Sequence, residues 1–177
     1  SVGSVIQNPN TYAKADAITI RDSLDGGNPA PGGPPTTASL YPSKVAVPSS
    51  FTAPVTGVTV KLKGLSHQFS SDVDIVLVSP TGKKVKLMSD SGFTSVQNVD
   101  LTFSDAASNF LPAESFADPI VTGSYKPSDF GVGADTVPSV DMTTGVITTL
   151  SGFNGDSPIG DWSLYIVDDS SGGNGSL

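Results

Sequence analysis

Turn-forming residues cut this chain into pieces that suit strands and not helices. It carries 19 glycines and 14 prolines in 177 residues. No segment sustains a 3.6-residue apolar period with helix caps, whereas short apolar/polar alternations recur along the whole length. Hydrophobic residues still make up 37% of the chain, too many for a disordered polymer, which lacks the apolar surface to offset its ordering entropy. Charged residues are only 15%. The expected fold class is therefore all-β: a two-sheet antiparallel β-sandwich of jelly-roll type with long loops.

The strands can be placed in order. Ile18 and Ile20 alternate with Thr19 and Arg21, and Leu40 to Val47 is a second candidate. Val58, Val60 and Leu62 alternate with Thr59, Lys61 and Lys63, which gives one inward and one outward face. Asp72 to Val78 is apolar on both faces after its acidic start and reads as a central strand. Ser79 to Gly82 is a turn, and Val85 and Leu87 continue a hairpin. Val99, Leu101 and Phe103 form another strand, Val121 to Tyr125 and Val146 to Leu150 are weaker ones, and Trp162, Leu164 and Ile166 mark one face of the last. Between the first two lies Asp22 to Thr37, too rich in Gly and Pro for helix or central strand and read as a surface loop. Residues 1–14 read as a polar tail and 15–177 as one domain.

Several chemistries are excluded. Without Cys there is no disulfide, zinc thiolate or cysteine nucleophile. With His67 alone there is no multi-histidine metal site. A net charge of -8 lacks the clustered Lys and Arg that nucleic acid requires. Apolar runs such as Ile75 to Val78 fall far short of the ~20 residues of a helical membrane span. The opening at Ser1, with no Met and no charged-then-apolar leader, is expected of a processed form or an excised piece.

Ordered blocks resemble one family. GLSHQFSSDVDIVLVSPTGKKVKLMSDSG (Gly64 to Gly92) has a His after a strand, an Asp-led apolar strand, a Ser-Pro-x-Gly turn and a strand ending near Leu. VDLTFSDAAS (Val99 to Ser108), TGSYKPSDF (Thr122 to Phe130) and a Gly-x-Trp-x-Leu-x-Val-x-Asp-like stretch, with Ile166 at the Val position, and its Gly-rich loop in Leu150 to Leu177 follow in order. Together they resemble the P domain of proprotein convertases, in its bacterial extracellular form. The resemblance implies a sandwich module without its own active site, packed against a neighbouring protease domain or carried in a secreted or surface protein. The family pattern continues past its last Gly-x-Leu into a Trp-containing strand, whereas this chain stops at Leu177. The sandwich is therefore expected to lack its last strand. That would leave an unpaired edge near Leu177 that a neighbouring copy could complete, with Val2 and Ile6 of the tail as donor residues in a self-assembling filament or surface layer.

The residues favour binding over catalysis. A serine-protease arrangement would need His67 as its base, but Ser66 is its strand neighbour and points to the opposite face, so His67 is expected to pack or hydrogen-bond at a strand end. Calcium is the better chemistry, since it takes six to eight oxygen ligands. Asp72 and Asp74 are two apart on a strand, so their carboxylates are expected on one face. Asp168 and Asp169 follow the last strong strand beside a loop holding Asn174, and Asp90 could join either group. Such a Ca²⁺ would be structural, pinning loops that no disulfide holds. The alternative for these acids is ordinary solvated turn chemistry. Glycan binding is a third reading, with Tyr12, Tyr41 and Tyr125 in or near loops, while Trp162 and Phe103 are expected in the core.

Overall fold

The computed structural model describes residues 10–22, 35–114, 118–131 and 135–177. Twelve strands occur among them: β1 (Thr19–Ile20), β2 (Thr36–Thr37), β3 (Ser43–Val47), β4 (Val60–His67), β5 (Val73–Val78), β6 (Lys84–Ser89), β7 (Val96–Phe103), β8 (Asn109–Phe110), β9 (Gly123–Lys126), β10 (Ser128–Asp129), β11 (Gly160–Asp168) and β12 (Gly175–Ser176). They form two packed sheets, as expected of an all-β sandwich. One has the order β1-β12-β4-β7-β9-β8, the other β10-β6-β5-β11-β2, with β3 also on β11.

The sheets are mixed and not purely antiparallel. β9 runs parallel to both β7 and β8, and β10 runs parallel to β6. The cause lies in the connections. Phe103 and Gly123 are joined by a long excursion through β8 rather than by a tight turn, so β9 enters from the same end of the sheet as β7.

The core lies between the layers. Leu62, Leu65, Leu101 and Phe103 from the first sheet meet Ile75, Leu77, Val85, Leu87 and Ile166 from the second. β5 is buried on both sides, as its sequence suggests. Val73, Ile75 and Leu77 face this core, while Val76 packs into a second, smaller cluster with Val137 and Val167 on the outer face. Tyr41, Val140, Met142 and Tyr165 complete that cluster. The segment beginning at Asp135 thus covers the outside of the second sheet, close to where β5 begins.

Two expectations shift. Val146 makes only a single bridge to Lys84, and Leu150–Phe153 is a short 3₁₀ turn instead of the end of a strand. Asp105 accepts the N–H groups of Leu150 (2.9 Å) and Ser151 (2.7 Å), which fixes the turn. At the other end, β12 lies between β1 and β4, and Ile18 and Leu177 exchange N–H···O bonds of 2.7 and 2.8 Å. The edge expected to stand open at Leu177 is thus engaged by the chain itself. Gly175 permits the close approach, since a Cβ there would overlap β4 at Ser66 and His67. Val2 and Ile6 lie outside the described residues, as does most of Asp22 to Thr37.

Candidate metal centre

Asp168 and Asp169 are adjacent, and the pleat sends them to opposite faces. Asp168 pairs with Val73, turns inward and meets His67 from the other sheet, with Nε2 to Oδ2 at 3.0 Å. Both side chains are fully buried. His67 Nδ1 lies 2.7 Å from the Phe69 carbonyl oxygen. Burial works against an imidazolium here, but the Asp168 carboxylate and the Phe69 carbonyl outweigh it and raise the His67 pKa. A protonated ring donates to both oxygens, so His67 ties β4 to β11 across the core. Ser66 Oγ is engaged elsewhere, accepting the Asn98 N–H at 2.9 Å.

Asp169 faces outward and joins a different group. One carboxylate oxygen from each of Asp74, Asp135 and Asp169 lies within 4.8 Å of the others. Asp74 is 2% exposed, and its Oδ2 has no hydrogen-bond partner. Two other buried oxygens, Ser70 Oγ and Thr94 Oγ1, also lack partners, but both are neutral hydroxyls, which cost less to bury than a carboxylate. Asp90 stands beside the triad in a left-handed conformation (φ 48°), which Asp tolerates. A Cβ on Gly131 would overlap the Asp90 carboxylate, so glycine makes the room that carboxylate occupies.

Little positive charge opposes this concentration of acid. Lys86 Nζ reaches Asp135 (2.6 Å) and Asp129 (3.0 Å). Ser89 Oγ lies 2.8 Å from Asp135 and 3.4 Å from Asp90, and it also bonds Asp74. Its single proton can serve only one of the three at a time. Burial first, then repulsion from Asp135 and Asp169, pushes the Asp74 pKa up to about 8. Burial, then Asp90 and Asp135, lifts Asp169 to about 6, and burial with Asp135 raises Asp90. Carboxylates held this close repel one another, and a bound cation would favour their ionised forms. An all-oxygen donor set without His suits a hard divalent ion.

The structure therefore divides the residues singled out in the sequence. Asp74 and Asp169 come together, with Asp90 alongside. Asp72 is not on the strand but ends the 3₁₀ turn Ser70–Asp72, so the two-residue rule does not bring it to Asp74's face, and its carboxylate takes the Ser71 hydroxyl instead. Asp168 is held by His67. Asn174 is directed to the Asp22 N–H, 3.0 Å away. Asp135 had no sequence signal beyond its place in a turn-rich loop. Of the aromatic residues considered for sugar binding, Tyr41 donates to the Pro138 carbonyl and stacks edge-on against Tyr165, and Tyr125 donates to the Val121 carbonyl. Compared with known proteins, the chain matches no family model and no curated protein. No helix among the described residues is long and apolar enough to cross a membrane.

Proposed function

We propose that this chain is a non-catalytic, P-domain-like β-sandwich module of an extracellular protein, packing against neighbouring domains or copies, with its loops pinned by one Ca²⁺ at Asp74, Asp135 and Asp169. The observation that carries the cation is the buried, unpartnered Asp74 Oδ2 facing two further carboxylates. The ion joins three distant pieces of chain: the start of β5, the segment after β11 and the loop that covers the outer face. That is the role a disulfide has in other small extracellular domains. Ca²⁺ suits the donor set better than Mg²⁺, which demands tighter octahedral geometry and keeps its waters. The non-catalytic reading is supported by His67. The one imidazole is buried and held on both nitrogens, and the neighbouring Ser66 is bonded elsewhere.

Calorimetric titration of chelator-stripped protein with CaCl₂ is expected to show a single site and a raised Tm. Asp74→Asn is expected to abolish both effects while the variant stays folded. Absence of heat and of any Tm change at millimolar Ca²⁺ would remove the cation from this reading.

A further inference from the structure

The acidic centre has an open side as well as a buried one. Asp90 and Asp135 also line a surface cleft of about 360 Å³, whose other walls are Ala113, Glu114, Phe130 and Gly131. That volume lies within the ~300–1,000 Å³ typical of small-ligand sites. Phe130 is 38% exposed, although its N–H is tied to the Ser89 carbonyl. A large aromatic side chain half open to water beside a set of carboxylates is not explained by core packing. Neither main cluster of buried apolar residues includes it.

We propose that this cleft binds a neutral saccharide, with vicinal hydroxyls completing the coordination of the cation and the apolar face of the sugar ring resting on Phe130. The proposal rests on the Ca²⁺ reading above and names the ligand class of the same centre. Four arguments select a neutral polyol. Ca²⁺ takes six to eight oxygens, more than the three carboxylates of the triad supply when each gives one, so positions remain for outside oxygens. Asp90, Asp135 and Glu114 line the cleft and, among the described residues, no basic side chain does, Lys86 pairing with only Asp135 of the three, so a carboxylate or phosphate ligand meets repulsion from Asp90 and Glu114. The same Glu114 accepts hydrogen bonds from hydroxyls, which only an uncharged hydroxyl-rich ligand offers in number. Phe130 supplies apolar area that would be wasted on an inorganic ion.

The test uses the whole chain loaded with Ca²⁺, with calorimetry and ligand-observed NMR against methyl α-mannoside, methyl α-galactoside and glucuronate. The expected result is weak binding of at least one neutral glycoside, lost on addition of EDTA, with glucuronate weaker. Phe130→Ala is expected to weaken the glycoside by about tenfold or more while leaving Ca²⁺ affinity within about twofold. Ca²⁺ binding with no glycoside binding overturns the proposal and leaves the cation reading standing. Glycoside binding that survives EDTA and Phe130→Ala, or preference for glucuronate, also overturns it. No heat with Ca²⁺ itself marks failure of the underlying reading instead.

Discussion

Asp74 and His67 are both buried ionisable groups, but their surroundings treat them differently. His67 and Asp168 satisfy one another and take backbone partners as well, so removing one leaves the other orphaned. His67→Ala is expected to cost about 3–5 kcal/mol, the usual penalty for stranding a buried ion, measured by urea denaturation. Asp74 shares the Ser89 hydroxyl with two other carboxylates, and its Oδ2 has no hydrogen-bond partner. Its pKa of about 8 in the folded chain lies above its unfolded value. It therefore favours folding below that unfolded value, and the contribution is lost as pH rises through about 8. Asp169, raised to about 6, acts in the same direction. Chelator-stripped protein is thus expected to melt lower at about pH 8 than at about pH 5. Ca²⁺ needs these carboxylates deprotonated, so its stabilising shift is expected to grow over the same span. Thermal melts with EDTA or CaCl₂ at both pH values measure the two trends. An Asp74 variant that kept the Ca²⁺ shift would contradict this account.

At the scale of elements, alternation was a sound guide wherever a strand has one wet face. β4, β7 and β11 lie where Val60-x-Leu62, Val99-x-Leu101-x-Phe103 and Trp162-x-Leu164-x-Ile166 place them. β5 was readable as central because both its faces are apolar. The rule failed where backbone geometry changes without a change in composition. Val146 to Leu150 has strand-like residues, but Gly145 with φ 66° precedes it, and Asp105 draws Leu150 and Ser151 into a turn. That contact is between residues far apart in sequence, so no local pattern shows it. Burial raises the Asp105 carboxyl, but the Leu150 and Ser151 amides outweigh burial and hold its pKa low. Asp105→Ala is expected to cost about 1 kcal/mol, as loss of a capping carboxylate does. Denaturant melts would show this, and a neutral result would mean that the turn is held by Phe153 packing alone.

The whole molecule is a sandwich with an extra layer. The segment 135–142 lies over the outer face of the second sheet through Val137, Val140 and Met142, and it delivers Asp135 to the acidic centre. This explains why only part of the centre was legible. Asp74, Asp90 and Asp169 sit at strand ends, where chemistry can be read from position. Asp135 is placed by a loop whose docking depends on Val76 and Val167. Packing in that layer and cation affinity should therefore be coupled. Val137→Ala is expected to cost roughly 1–3 kcal/mol and to weaken Ca²⁺ binding, although Val137 touches no ligand. Calorimetry and melts on the one variant check both, and unchanged affinity would show that Asp135 is held independently of the layer. The reciprocal bonds between Ile18 and Leu177 carry a mechanical consequence. Tension drawn through residues 10–17 on one side and Leu177 on the other would load the β1–β12 ladder one rung at a time, like a zipper, instead of shearing all its bonds together. The seam would open at low force while the layers behind it, tied by His67 and Asp168, stayed closed.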